Sequence, residues 1–389
     1  MNPLFALIKR EIERMTRSKL LLVVMLILPL FFCWVSCETF SKGYSRDIPI
    51  GVMDSDNSAL SRKLTRMLEA CPTLNVGYRP LGLDEGKDLI SRNKAYAIVV
   101  IPEGFEKDIY SQKQPEVVSY YNNQYMLIGS MVSKDITTAV STLSTQLTVG
   151  AKMKTQNISQ KQAVVETMPV QVVDYVKGNP WLNYCYFLAA SAFIQIFHII
   201  ACFVTIWAFG SEYKEGSAKE WLEKANNSVF LAIFGKLLPY FLIFMFFLIV
   251  SYAIMIVFYG LPVRGSFLFI IISSAVFLLA YQAVGIAFVE ILGNMRYSLS
   301  CGAFYTSLGF TFAGLTFPAT SMPFLIKLYT WLIPLKSFLK IFYDQTLKDI
   351  SWTYDLKALL AMALMILPSV ILAFRFPKMA NDPNYRGLE

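Results

Sequence analysis

Charge is scarce in this 389-residue chain: Asp, Glu, Lys and Arg make up 16% of it, hydrophobic residues 55%, and mean hydropathy is +0.48. A soluble globular chain carries about 25% charge. This one cannot clothe a water-facing surface of its size, which argues against a soluble enzyme, a disordered chain or a nucleic-acid binder. Histidine is almost missing. The single His198 removes most histidine-based catalysis and every multi-histidine metal site, and it reads as a satisfied interior residue. The six cysteines contain no C-x-x-C pair, so neither a disulfide framework nor a zinc site is indicated. No G-x-x-x-x-G-K-[ST] phosphate loop occurs, because Gly86-Lys87 lacks the upstream glycine and the following hydroxyl. ATP cannot be held here by that mechanism.

What the chain does have is long apolar runs. About 20 residues cross the hydrocarbon core of a bilayer, and runs of that kind predict six spans at 20–37, 183–209, 229–259, 267–292, 298–318 and 356–374. The first ends in Cys33-Trp34-Val35-Ser36-Cys37-Glu38 rather than a small-residue cleavage site, so it reads as a retained anchor. Net charge is +8, yet residues 38–180 hold 16 basic and 15 acidic residues. The excess therefore lies around the spans, where basic residues in short loops mark the cytoplasmic side. Lys9, Arg10, Arg14, Arg17 and Lys19 precede the first span; Lys214, Lys219 and Lys224 follow the second; Arg375, Lys378 and Arg386 follow the last. Both termini are then expected in the cytoplasm. Lys327, Lys336, Lys340 and Lys348 run against this pattern, and Pro318, Pro323 and Pro334 break the stretch around them. That stretch is expected to be partly re-entrant, since irregular backbone survives at membrane depth only when packed in protein or facing water.

Residues 38–180 read as one extracytoplasmic α/β domain. Strands are predicted at Ile48–Met53, Leu74–Tyr78, Tyr96–Ile101, Val117–Tyr121 and Val170–Val176, with helices at Ala59–Ala70 and about 84–93, 103–111 and 126–165. Such alternation predicts a mainly parallel or mixed sheet, and Asp54 to Ser58 offer several caps for the first helix. Ser55-Asp56-Asn57 and Ser91-x-x-Lys94 resemble two elements of penicillin-binding serine enzymes. They stand in reversed order with no K-T-G following, and a polar turn capping a helix is the simpler reading.

Two segments carry the functional reading. In Gly210–Lys224 four acids balance three bases, and Trp221-Leu222 is expected as an exposed apolar knob on an otherwise polar helix. A helix lying on lipid favours a basic polar face, so this slightly acidic one fits a dock for a cytoplasmic protein better. The second segment, Gly314 to Pro323 with a later Pro334, breaks a span near the outer face, as broken helices do in transport folds. On these residues the chain resembles the permease subunits of type-2 ATP-binding-cassette (ABC) exporters, in the subgroup with a large extracytoplasmic insert between the first two spans. The family's E-x-x-x-G-[ST]-x-E-x-L pattern is resembled by Glu212, Gly216 and Ser217, followed by Glu220 and Leu222 one position further on. Its G-x-x-F-P-x-x-x-M-P pattern is matched by Gly314, Phe317, Pro318, Met322 and Pro323, with Pro334 beyond. Ile48–Ser58 and Ile101–Phe105 also look like the family, whereas Asn226-Asn227-Ser228 lacks a proline often found there.

The resemblance implies an α-helical integral membrane protein of six spans with one inserted α/β domain. It comprises a cytoplasmic interface helix (1–19), the first span (20–37), the insert (38–180), a five-helix region (181–374) with coupling helix 211–224 and re-entrant segment 314–335, and a cytoplasmic tail (375–389). The implied coupling residues are Glu212, Glu215, Gly216, Ser217, Glu220, Trp221 and Leu222. The implied location is the bacterial inner membrane. The implied partners are a cytoplasmic ATPase carrying ATP and Mg, a second permease chain, the lipid bilayer and an extracytoplasmic adaptor or efflux component. No catalytic, cofactor or metal residue is expected in this chain, nor any nucleic acid. Closure of the partner ATPases is then expected to push on residues 212–222 and on the N-terminal helix, where Phe5, Ile8, Ile12 and Met15 repeat at 3-4-3 spacing and form an apolar stripe. Aromatics at 15% and 16 methionines suit an adaptable pathway for lipid-like or drug-like molecules. Two other classes remain: a non-transporting membrane anchor whose external domain binds a partner, and an intramembrane enzyme. The latter would need a convergence of His198, Gln195, Lys236, Glu290 and Arg296, of which the last three sit near span ends and are expected to snorkel.

Overall fold

The computed structural model describes residues 3–170, 176–179, 183–315, 317–382 and 385. The chain divides into two compact units, one formed by Met1–Gly43 with Val176–Glu389 and the other by Tyr44–Tyr175.

The first unit opens with α1 (Pro3–Arg17) and α2 (Lys19–Thr39). Ser18 separates them, its hydroxyl accepting from the Leu21 N–H at 3.3 Å. Within α2, Pro29 has no N–H to give the carbonyl four residues back. The turns before it are wound as a π-helical stretch, Val23–Ile27, a bulge that absorbs the missing bond.

The second unit follows: β1 (Ile48–Asp54), α3 (Ala59–Glu69), β2 (Leu74–Tyr78), α4 (Leu83–Ser91), β3 (Ala97–Ile101), α5 (Phe105–Tyr110), β4 (Val118–Tyr121), α6 (Met126–Gln156) and α7 (Gln160–Thr167). The strand order is β2-β1-β3-β4, parallel except for antiparallel β4. Ser58 caps α3 by accepting from the Ser61 N–H at 3.1 Å. Ile50, Val52, Val99 and Ile101 of the sheet pack with Leu64 and Leu68 of α3 and with Val132 and Ile136 of α6 into one apolar core. The helix expected over 126–165 is interrupted at Asn157, which takes a left-handed φ of 52°. The strand expected at Val170–Val176 lies mostly outside the described residues.

The first unit resumes with α8 (Cys185–Lys214), α9 (Ala218–Lys224), α10 (Val229–Val257), α11 (Phe267–Leu292), α12 (Met295–Phe312), α13 (Phe324–Thr330), α14 (Pro334–Thr346), α15 (Leu356–Leu364), α16 (Leu367–Leu372) and α17 (Arg375–Asn381). Among the described residues five helical stretches are long and apolar enough to cross a membrane: α2, α8, α10, α11 and Trp352–Asn381. α12 stands where a span over 298–318 was expected but stops at Phe312, and Gly314 turns the chain at a φ of +85°. α8 packs against α11, α12 and α2 and is covered on most sides. α10 instead turns Phe230, Phe234, Leu242 and Phe246 outward. Apolar side chains exposed in such number along one helix suit contact with lipid tails rather than water.

Candidate functional site

α8 and α9 meet in a sharp elbow. Gly216 stops α8 with a φ of +71°, a conformation open to glycine at little cost. The freed amides of Gly216 and Ser217 donate to the carbonyls of Tyr213 and Glu212 at 3.2 and 2.8 Å. At the far end of α9, Asn226 and Asn227 take left-handed φ values of 52° and 57°, which asparagine tolerates better than most side chains. Two asparagines thus make the turn into α10 where a proline was noted as missing.

Inside this elbow lies a closed ion cluster. The Glu212 carboxylate, wholly shielded from solvent, receives Arg10 through both guanidinium nitrogens at 2.6 and 2.9 Å, Arg14 at 2.7 Å and Lys236 Nζ at 2.6 Å. Ser217 Oγ donates to its second oxygen at 2.5 Å. Lys236, equally buried on α10, also meets Glu11 of α1 at 2.6 Å, and Tyr240 Oη donates to the other Glu11 oxygen at 2.7 Å. Arg14 reaches Ser211 Oγ at 2.7 Å and the exposed Glu215 at 3.1 Å. Three acids and three bases therefore balance across α1, the end of α8, the elbow and α10. Burial works against the Arg10 charge, but its bonds to Glu212 prevail and hold its pKa above the ordinary value.

The backbone lets α1 come close enough for this. A Cβ at Gly235 would lie 2.9 Å from the Leu7 Cβ, so the absent side chain sets the crossing of α1 over α10 next to Lys236. Lys236 Nζ also sits 5.4 Å from the Trp221 ring and 5.8 Å from that of Phe209, a distance at which the ring face attracts a cation. Trp221 Nε1 donates to the Ala232 carbonyl at 3.3 Å, and its ring meets Phe209 and Phe376 edge-on at 5.6 and 5.7 Å.

Two expectations are corrected here. Trp221 and Leu222 form no exposed knob: both are buried, because the indole is drawn between Phe209, Phe376 and Lys236. The buried face of α1 is Leu7, Glu11 and Met15, held by the pairing of Glu11 with Lys236 and Tyr240, and of the apolar stripe Phe5 and Ile12 stay exposed. Lys236 does not snorkel to an interface; it is 1% exposed and held by two carboxylates. Gly216, Glu215 and Glu220 do lie on the surface, the two glutamates at 57% and 58% side-chain exposure. They share it with Lys214, Lys219, Glu223 and Lys224. Glu220 and Lys224 pair at 2.6 Å, which lowers the Glu220 pKa.

The cluster partners Arg10, Glu11, Arg14 and Tyr240 were missed as site residues. A basic-acidic pattern Arg10-Glu11-x-x-Arg14 at helical spacing was the available signal, since it puts charge on a helix face that must also pack.

The Gly314–Pro334 set stands apart, and no hydrogen bond, ion pair or ring contact joins it to the elbow among the described residues. Pro318 precedes a short 3-10 turn, Ala319–Ser321; Pro323 caps α13; and Pro334 starts α14. Phe317 and Pro318 are exposed, while Met322 is buried. α13 folds back along α12, where Phe312 and Tyr329 meet at 5.9 Å and Tyr305 Oη donates to the Leu332 carbonyl at 2.5 Å. Nor do the five polar residues weighed for intramembrane catalysis converge. His198 lies against Tyr281 with Nε2 3.3 Å from the Thr306 carbonyl, Lys236 belongs to the ion cluster, and Arg296 is exposed.

Comparison with known proteins bears on the same stretch of chain. A family model described as ABC-2 family transporter protein matches residues 19–375. Two relatives, each named "Probable multidrug ABC transporter permease YbhS", come from Escherichia coli strain K12 and from Escherichia coli O157:H7. Each is 26% identical over 163 residues, which is 41% of this chain and 42% of the relative. The similarity thus spans about two fifths of the length of these relatives.

Proposed function

The chain belongs to the ABC-2 family of transporter proteins and is a multi-pass membrane protein, and from that premise we propose that it is the membrane permease subunit of an ABC exporter. ATP, with Mg, is hydrolysed by a separate cytoplasmic ATPase, and a second permease chain completes the pathway. In this reading α12 together with the folded-back α13 supplies a sixth crossing, both termini are cytoplasmic in the bacterial inner membrane, and the α/β unit is the extracytoplasmic insert of its subgroup. An adaptor or efflux component on that side is a further partner. The substrate is a lipid-like or drug-like molecule.

The observation that carries the reading is the ion cluster centred on Glu212. A push on a surface helix moves spans only if that helix is fixed to them. Here Glu212, Arg10, Arg14 and Lys236 tie α1, the end of α8 and α10 into one unit beneath α9. Glu215, Lys219, Glu220 and Glu223 are each more than half exposed, so their ion pairs lie on a face that a partner can meet. A rigid base under a charged face is what force transmission requires, and it has no evident use in a passive anchor.

Copurification of an ATPase with the intact chain, followed by ATP-driven export from cells or vesicles, tests this. Association with a phosphate-loop ATPase and export that stops when its hydrolysis is blocked are the expected results. A chain that binds extracytoplasmic partners but never an ATPase is the membrane anchor instead.

A further inference from the structure

The sheet of the second unit has two edges, and they are finished differently. At the β2 edge the register slips: Ile50 stands opposite Val76 while Gly51 stands opposite Tyr78, so Gly77 is passed over as a bulge. A bulge is one of the devices by which a sheet blunts an open edge. At the other edge β4 pairs with β3 without a slip, from Val100 opposite Val118 to Ala97 opposite Tyr121. Its four residues, Val118-Ser119-Tyr120-Tyr121, include no charge, proline or glycine, and Val118, Tyr120 and Tyr121 are 40%, 40% and 42% exposed. An uncharged, regular edge of this kind is a template for another strand.

Hydrogen bonding fixes which groups that edge offers. The Asn122 N–H donates to the Tyr96 carbonyl at 2.8 Å, and the Ser55 N–H to the Ile101 carbonyl at 3.0 Å. Ile101 therefore turns its carbonyl toward β1, and by alternation Ile98 and Val100 turn their main chain toward β4. Their partners Tyr120 and Val118 bond inward, which leaves Ser119 and Tyr121 with N–H and C=O pointing out of the sheet. Val117, just before the strand, continues the alternation. Among the described residues no other strand, loop or side chain bonds to these outward groups.

We infer that β4 receives the β4 strand of a second copy of this chain, the two running antiparallel about a two-fold axis through Ser119 and joining both sheets into one. Only this register pairs all the outward residues with one another: Ser119 meets its counterpart, and on each side of the axis Val117 meets Tyr121 of the other copy. Each such pair exchanges two main-chain bonds. Pro115, next in the outward series, has no N–H and ends the ladder. The side chains agree with the register. Val118 falls opposite Tyr120 and Val117 opposite Tyr121, the pairing of β-branched with aromatic residues that antiparallel strands favour. Glu116, the nearest charge, falls opposite Asn122 rather than against itself. A surface that complements its own copy in this way is what a two-fold contact between identical chains requires. The inference rests on the permease reading, which calls for a second chain, and deepens it by making that chain another copy and naming where the two meet.

Disulfide trapping of the full chain in native membranes tests it, with Cys71→Ser and Cys301→Ser removing the two cysteines that are not buried. Ser119→Cys would face its own counterpart at a Cα separation of about 5.5 Å, within reach of a disulfide. Val118→Cys would meet its counterpart only on the diagonal, at about 8 Å, which is out of reach. Under copper–phenanthroline oxidation the Ser119→Cys dimer should therefore form at least about tenfold faster than the Val118→Cys dimer. Val117→Cys with Tyr121→Cys should also be trapped as a dimer, and adding Ser119→Pro should abolish that product. The Ser119 N–H points out of the sheet, where an edge strand tolerates proline, so thermal unfolding should match that of the double cysteine variant. Failure to trap Ser119→Cys, equal trapping at Val118, or a 117–121 product that survives Ser119→Pro would each overturn the inference. An adaptor strand on this edge, or another part of the same chain, would show itself as the first of these. The trapping needs no ATPase. Its failure with ATP-driven export intact leaves the permease reading standing, and loss of ATPase association with trapping intact leaves the edge contact standing.

Discussion

Lys236 and Glu212 face each other at 2.6 Å from two different helices, both out of solvent, and on its other side Lys236 meets Glu11 at the same distance. A buried ion gives up several kcal/mol of hydration, and each of these is tolerated only while its partners stand. Lys236→Met leaves the buried Glu11 with the Tyr240 hydroxyl alone and takes one of three cations from Glu212, and should cost about 3–5 kcal/mol. Lys219→Met removes an exposed charge paired loosely with Glu223 at 3.9 Å and should cost less than about 1 kcal/mol. Thermal unfolding in detergent, followed by tryptophan fluorescence, separates the two, and equal shifts would contradict a role for the cluster in holding the helices together.

The exposed face of the elbow should behave in the opposite way. Glu220→Lys with Glu223→Lys leaves the Glu212 cluster intact and breaks only the exposed pairs with Lys224 and Lys219, so unfolding should stay within about 1 kcal/mol of wild type. ATPase copurification and ATP-driven export should fall together. Unchanged association with reversed charges would mean that the partner docks elsewhere.

Which parts were legible in the sequence follows from the kind of signal each left. Apolar runs announce helices of the right length whatever they pack against, so α2, α8, α10 and α11 were readable from composition. Alternating strands and helices separated by capping residues such as Ser58 did the same for the sheet. The ion cluster was not legible, because Arg10 and Glu11 lie 202 and 225 residues from their partners Glu212 and Lys236, and charge in a membrane-bordering segment reads first as surface. The same bias placed Trp221 outside: a tryptophan in a polar helix looks exposed until Phe209 and Phe376 are seen to enclose it. α12 was read as too long because the apolar residues continue past Phe312, while the left-handed turn at Gly314 depends on a single residue.

Acid should weaken α14 through Asp344. Burial tends to raise its pKa, but hydrogen bonds from Lys340 and Lys348, the latter at 2.8 Å, outweigh burial and hold it below the usual aspartate range. A depressed pKa in the folded state means that the carboxylate stabilises the fold above its unfolded pKa of about 3.9, and that this contribution is lost as pH falls through the lower folded value. Asp344→Asn should therefore lower the unfolding temperature at pH 7 and flatten its decline below about pH 4. Parallel pH profiles for the two proteins would rule this out.

The broken segment between α12 and α14 should act on the outer end of the pathway. Pro318→Ala with Pro323→Ala restores two backbone donors and relaxes φ at both turns, favouring helix where the chain now folds back. Substrate-stimulated ATP hydrolysis should change while ATPase binding does not. Full transport by the double variant would show that the prolines have no part in gating.

A photo-reactive benzoylphenylalanine at Lys219, on the exposed face of α9, tests the proposed docking most directly. Irradiation of cells carrying the intact chain should yield one adduct whose partner, identified by mass spectrometry, contains a G-x-x-x-x-G-K-[ST] phosphate loop, and the same probe at Gln112 in the α/β unit should yield none with that protein. Absence of any ATPase adduct at Lys219, or an equal one at Gln112, would contradict a coupling role for the elbow.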